Sequence, residues 1–106
     1  MSNLLVSGIV LSSDKYGRVR LFIDSSEITK IINSIKQDNY VKFPFEGGKV
    51  DKSGSVLIIT LKKKHKEFWL KKIEEYRSNT ITIETSLRKW KLNGQCGIAL
   101  DLNSIL

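Results

Sequence analysis

The sequence predicts an α+β domain that is mainly an antiparallel β-barrel with two helices. Three observations lead to this prediction: several segments alternate with period two, two segments have helical apolar spacing, and an Asn-Gly turn separates the last two alternating segments. A chain of 106 residues with 41% hydrophobic residues can build one core. We therefore expect residues 1–106 to form a single domain.

Two strands joined by a turn are predicted at the start of the chain. Residues 4–12 are apolar and read as the first strand rather than as a signal peptide, because they lack a basic leader and a cleavage site. Residues 18–24 alternate strictly, so their apolar residues share the core face. The opposite face of this second strand carries Arg18, Arg20 and Phe22.

A helix over 25–37 and a short strand over 40–45 are predicted next. Asp24 lies three residues before Glu27, a spacing in which each side chain can accept a hydrogen bond from an unpaired amide of the first helical turn. Pro44 places the end of the short strand at an edge or a bulge. The helix carries an apolar stripe with i, i+3, i+4, i+7 spacing, formed by Ile28, Ile31, Ile32 and Ile35.

A central strand and a second helix are predicted after these elements. Residues 56–61 are continuously apolar and β-branched, which is typical of a strand covered on both faces. Residues 64–77 have the spacing of a helix, with Trp69, Ile73 and Tyr76 at i, i+4, i+7. We expect Trp69 and Tyr76 to belong to the core.

The last third of the chain predicts a hairpin. Alternation resumes at Thr80 and again over 98–102, and Asn93-Gly94 between the two segments tolerates the positive φ angles of a tight turn. With a short segment at 49–52, the prediction is a domain of six or seven strands and two helices.

The basic charge is concentrated in one part of the chain. Residues 62–92 carry ten basic and four acidic side chains, which is +6 of the net charge of +7. An excess of this kind indicates nucleic acid as the first partner and an acidic protein as the second.

Composition argues against several other classes. The single Cys96 cannot form an internal disulfide, which favours a reducing, cytoplasmic location, and with the single His65 it leaves no ligand set for a zinc site. We expect His65 to be an exposed residue at a helix end. No glycine-rich phosphate loop, paired catalytic carboxylates or membrane-spanning apolar run is present, so we expect no enzyme activity, metal, cofactor or membrane contact.

Basic and aromatic residues coincide on the predicted strands, as binding of a single-stranded nucleic acid requires. Trp90 is out of phase with the apolar positions of its strand, so it is either exposed or turned inward by a bulge. Phe22 and Trp90 also have the simpler interpretation of core residues. The candidate phosphate-binding and base-stacking residues are Arg18, Arg20, Phe22, Lys62, Lys63, Lys64, Arg88, Lys89, Trp90 and Lys91.

Residues 90–105, WKLNGQCGIALDLNSI, resemble the closing hairpin of viral and phage-type single-stranded-DNA-binding proteins with OB folds. The resemblance implies an OB-like barrel, with Trp90 and its basic neighbours on or beside the binding strand. In such a barrel the helix over 64–77 takes the place between the third and fourth strands, and the helix over 25–37 is an insertion.

Residues 17–46 are also similar to swapped-hairpin DNA-binding regulators, which dimerise and bind duplex DNA. This similarity leaves the remaining residues, 47–106, unexplained, so we rank it lower. The sequence therefore favours binding of single-stranded DNA or RNA in replication, repair or protection. The alternatives are an accessory protein-interaction subunit of a nucleic-acid-processing assembly and a homodimeric duplex-DNA regulator.

Overall fold

The computed structural model describes residues 3–35, 44–46, 51 and 53–106, and in these residues it has five strands and two α-helices. The strands are β1 (Asn3–Ser13), β2 (Arg18–Asp24), β3 (Gly54–Thr60), β4 (Thr80–Leu92) and β5 (Gln95–Ile105). The helices are α1 (Ser25–Ile35) and α2 (Lys66–Glu75), and a short 3-10 helix (Lys63–His65) precedes α2.

The five strands form a closed barrel in the order β1-β2-β3-β5-β4. β1 pairs with β4 over its first half and with β2 over its second half, so it closes the barrel. All pairings are antiparallel except the short parallel contact between β3 and β5, at Ile59–Leu100 and Thr60–Asp101. With α2 between β3 and β4, this confirms the predicted OB-like α+β barrel.

The core lies inside the barrel because alternate residues of each strand point inward. Leu21, Leu57 and Leu100 lie on three adjacent strands and are completely buried. α1 adds Ile28 and Ile31 to this core, as its isoleucine stripe predicts. The inward residues thus fix which side chains of β2 and β4 must face outward.

Several predicted boundaries differ from the structure. The predicted helix over 64–77 is α2 with its preceding 3-10 turn, and α1 is described to residue 35. Five strands replace the predicted six or seven among the described residues; residues 40–43 and most of 49–52 lie outside them. Of the predicted strand over 40–45, Phe45 forms an isolated bridge with Leu57, and the carbonyl of Pro44 accepts a hydrogen bond from Ile58 N at 2.8 Å.

Residues 18–24 are part of the segment that is similar to swapped-hairpin regulators. In the structure they form β2, which is one strand of the closed barrel. β2 pairs with β1 on one side and with β3 on the other, all within one chain.

Of the two hydrogen bonds predicted for the cap of α1, the structure contains the one that Asp24 accepts. Asp24 Oδ1 accepts hydrogen bonds from Ser26 N at 3.1 Å, Ser26 Oγ at 2.7 Å and Glu27 N at 3.1 Å. The carboxylate of Glu27 does not complete the reciprocal box. It accepts a hydrogen bond from Ser7 N on β1 at 2.8 Å and pairs with Lys30.

We predict that the cap makes stability depend on pH. The hydrogen bond from the Ser26 side chain, followed by that from the Glu27 amide, lowers the pKa of Asp24 from its ordinary value of 3.8. Its stabilising contribution is therefore complete above the unfolded pKa and is lost as the pH falls through the lower folded pKa. Asp24→Asn should be less stable than the wild type near neutral pH, and the difference should shrink in acid.

Urea unfolding of both proteins at about pH 7 and about pH 3 measures this difference. A stability difference that is the same at both pH values would contradict the role of the Asp24 carboxylate.

Candidate nucleic-acid interface

The outer side of β2, β3, β5 and β4 forms one continuous surface, here called the sheet face. The strand register shows which residues lie side by side on this surface: Arg20 is opposite Ile58, and Arg88 is opposite Ala99. Side chains that lie directly opposite one another on neighbouring strands share a face. The sheet face includes Arg18, Arg20, Phe22, Val56, Ile58, Thr60, Arg88, Trp90, Ala99 and Asp101.

Phe22 lies at the β2 side of the sheet face and is 41% exposed. The strict alternation of β2 buries Val19, Leu21 and Ile23, so Phe22 points outward with the two arginines, as predicted. Its ring lies over Gly54, where a β-carbon would be 3.0 Å or less from two ring atoms. Gly54 therefore provides the space in which the ring lies against the sheet.

Trp90 lies at the β4 side of the sheet face and is half-buried. It pairs with Gly97 on β5, and its indole lies directly over this glycine, where a β-carbon would overlap the ring. Inward residues of β4 alternate from Ile81 through Leu87, so Trp90 falls on the outer face and is not turned inward. The pairing of β4 with β5 is irregular near Glu84, earlier in the strand, but Trp90 still lies on the outer face.

A groove of about 280 Å³ joins Trp90 to the β2 side of the sheet face. Its lining combines one guanidinium and one threonine with apolar side chains, a composition suited to a stacked base whose phosphate is neutralised nearby. The lining residues are Arg18, Pro44, Phe45, Ile58, Thr60, Trp90, Ile98 and Ala99.

Carboxylates hold two of the predicted arginines. Arg20 Nη2 lies 2.8 Å from Glu46 Oε2, and Arg20 Nη1 donates to Ser12 Oγ at 3.2 Å. The hydrogen bond and charge of Glu46 raise the pKa of Arg20 above its ordinary value. Arg88 Nε donates to Asp101 Oδ2 at 2.8 Å. A phosphate at either arginine therefore has to compete with a carboxylate.

Arg18 has a weaker electrostatic partner. Its Nε lies 3.9 Å from Asp14 Oδ2, and both side chains are largely exposed. The other oxygen of Asp14 accepts hydrogen bonds from Tyr16 N and Arg18 N and so holds the β1–β2 turn. Since exposed ion pairs of this kind contribute little, the Arg18 guanidinium is the most accessible of the three to a phosphate.

The predicted lysines do not all join the sheet face. Lys62 reaches its margin, where Nζ donates to Asn103 Oδ1 at 2.7 Å. Lys63 and Lys64 are exposed on the 3-10 helix that follows. Lys89 and Lys91 lie on the opposite side of β4 from Trp90, as the alternation predicts, so they do not face the same ligand surface.

Some residues near candidate surfaces were not predicted. Glu46 and Asp101 were missed as arginine partners because Glu46 is 26 residues from Arg20 in sequence and Asp101 is 13 from Arg88. Tyr76 was expected in the core but is 37% exposed, since it follows the last turn of α2. Trp69 is only partly buried against the core.

Neither a metal-ligand cluster nor a membrane-spanning helix is found in the described part of the chain. No group of three or more His, Cys, Asp or Glu side chains among those residues has a metal-binding arrangement. None of the helices described there combines the length and apolar character that crossing a membrane requires. His65 is exposed at the start of α2, as predicted.

The chain matches no family model and no curated protein. Among solved structures, its fold is similar to the crystal structure of a small single-stranded DNA binding protein from Mycoplasma pneumoniae. The TM-score is 0.53 at 15% sequence identity, and the match covers 100% of this chain and 92% of that one. At this identity the similarity shows a shared fold.

Proposed function

We propose that the protein binds single-stranded nucleic acid, DNA in the first place, with little sequence preference and without enzymatic activity. The observation that carries the proposal is the sheet face, where two outward aromatic rings, Phe22 and Trp90, share one surface with three arginines. Stacking on such rings tolerates every base, since each base has a π-face, and the arginines can neutralise phosphates. OB folds bind oligonucleotides on the corresponding strands.

The proposed site uses Phe22 and Trp90 for stacking and Arg18, Arg20 and Arg88 for phosphates. Lys62 adds positive charge at the margin of the sheet face, where it lies beside Asn103. Lys63, Lys64, Lys89 and Lys91 lie away from the sheet face and would act at longer range. The protein that shares this fold is described as binding single-stranded DNA, which supports the same ligand class here. A role in replication, repair or protection, and the viral or phage type, remain predictions.

Anisotropy of labelled oligonucleotides tests the proposed function. Single-stranded DNA, single-stranded RNA and duplex DNA of equal length are titrated with the protein at about 50 mM and about 200 mM salt. We expect the tightest binding with single-stranded DNA and a steep loss of affinity at the higher salt, because binding releases counterions. No binding at the lower salt would overturn the proposal, and equal affinity for duplex would favour a homodimeric duplex-DNA regulator.

An accessory protein-interaction subunit is the second candidate function. It is favoured by β1, where Leu5 is 47%, Ile9 38% and Leu11 36% exposed. Exposed apolar side chains on one strand are typical of a protein contact. In that case oligonucleotide binding would be weak at both salt concentrations.

Glu46→Gln should strengthen single-strand binding about two- to fivefold, because Arg20 then no longer shares its guanidinium with a carboxylate. The salt dependence should steepen by about 0.7 in the slope of log K against log salt for one added phosphate contact. The same anisotropy titration measures both quantities.

Glu75→Gln is the matched control, because it removes the same charge from an exposed position on α2. Equal gains in the two variants would mean that net charge, rather than the release of Arg20, determines the change.

A further inference from the structure

Each of the two outward rings of the sheet face lies over a glycine on a neighbouring strand. Trp90 has Gly97 as its direct cross-strand partner, and a β-carbon built on this glycine would lie within 2.7 Å of the indole atoms Cζ2, Cε2 and Nε1. Gly54 pairs with Asp24 and is therefore the diagonal neighbour of Phe22. A β-carbon on Gly54 would lie within 3.0 Å of Cζ and Cε1, at the tip of the phenyl ring. Neither ring could keep its place above a residue with a side chain.

The backbone at these two positions does not itself require glycine. Neither Gly54 nor Gly97 has a positive φ angle, whereas the turn glycines Gly17 and Gly94 have φ angles of 86° and 78°. Gly97 lies inside β5, where glycine is less favourable than alanine because it loses more backbone freedom on folding. The contact with the indole is therefore the reason that the structure gives for a glycine at position 97.

The same contact limits how the rings can move before a ligand arrives. The indole of Trp90 is half-buried over Gly97 and borders the groove of about 280 Å³. Phe22 keeps 41% of its surface exposed while its tip lies over Gly54. A side chain that is already held in place does not have to be immobilised on binding, a saving that corresponds to about two- to tenfold in affinity.

We propose that Gly97 and Gly54 are positioning residues of the nucleic-acid site, which hold Trp90 and Phe22 against the sheet in the orientation that stacks on a base. This inference rests on the proposed function and adds to it how the stacking rings are set before the strand binds. The competing role is purely structural, in which the glycines serve the barrel and have no effect on binding through the rings.

Gly97→Ala tests the inference because it adds only the β-carbon that the indole excludes. The strand backbone accepts alanine here, since the φ angle is not positive. We expect the affinity for single-stranded DNA, measured by anisotropy at about 50 mM salt, to fall about two- to tenfold. Gly54→Ala should cause a smaller loss, because only the tip of the Phe22 ring has to move.

Double-variant cycles separate an effect through the ring from an effect through the strand. In a Trp90→Ala background Gly97→Ala should cause no further loss of affinity, because no indole remains to be displaced. A Phe22→Ala background is the matched control, in which Gly97→Ala should keep its full effect. Urea unfolding gives a second comparison: Gly97→Ala should raise the midpoint more in the Trp90→Ala background than in the wild type.

Fluorescence of the free protein reports on the ring itself. In a Trp69→Phe background Trp90 is the one tryptophan left of two, and Gly97→Ala should shift its emission to longer wavelength as the indole becomes more exposed to water. An unshifted emission, an unchanged affinity, or an equal loss of affinity in the Trp90→Ala background would overturn the positioning role. If the wild type still binds single-stranded DNA, the proposed function survives such a result; if the wild type does not bind, both proposals fail.

Discussion

Replacing both Phe22 and Trp90 with alanine should weaken binding of single-stranded DNA by about 2–6 kcal/mol, because each stacked ring contributes about 1–3 kcal/mol. The two rings lie on β2 and β4, separated by β3 and β5. In the closed barrel the two strands are three steps apart this way and two through β1, so at about 4.8 Å a step the rings are about 10 Å or more apart and their effects should add. Anisotropy with a labelled single strand measures the single and double variants.

The Phe22→Leu/Trp90→Leu variant is the control for folding. Leucine keeps apolar contact with Gly54 and Gly97 but offers no aromatic face. The leucine variant should therefore unfold at a denaturation midpoint close to that of the wild type, while its binding of single-stranded DNA should be weak. Affinity near wild type in the leucine variant would mean that the rings fill space and do not stack on bases.

Leu57→Ala should lower the free energy of unfolding by about 2–5 kcal/mol, the range for deleting a fully buried leucine side chain. Leu57 is completely buried, lies opposite Leu21 on β2 and bridges to Phe45 on its other side. No exposed side chain can fill the resulting cavity from this position in the middle of the barrel. The urea midpoint should fall with little change in slope.

Leu92→Ala is the matched control, because Leu92 is 66% exposed at the end of β4. Its effect should stay within about 0.5 kcal/mol. A comparable loss in both variants would contradict the assignment of the core to the inner face of the barrel.

Local patterns account for the parts of the fold that the sequence predicts. The alternation of β2 alone places Phe22 outward, and Asn93 and Gly94 adopt φ angles of 50° and 78° in the β4–β5 turn. Both features depend on neighbouring residues, so a single sequence contains the information. The alternation of β4 puts Trp90 out of phase with the apolar positions and leaves two orientations open, and the structure has it outward rather than turned inward by a bulge.

Features that join distant segments could not be predicted in this way. The pairing of Asn3 with Ser86 closes the barrel, yet neither strand pattern specifies its partner. The pairing of Arg20 with Glu46 depends on a segment whose path the sequence does not define. The exposure of Tyr76 depends on where α2 ends, and helix ends are weakly encoded by apolar spacing.

Fluorescence of Trp90 in the Trp69→Phe variant tests the central claim most directly, because this tryptophan then reports on the sheet face alone. With single-stranded DNA at about 50 mM salt we expect strong quenching, which weakens at about 200 mM as the affinity falls. Duplex DNA should quench far less, since its bases are already stacked on one another. Unchanged Trp90 emission on saturating binding of single-stranded DNA would contradict the account.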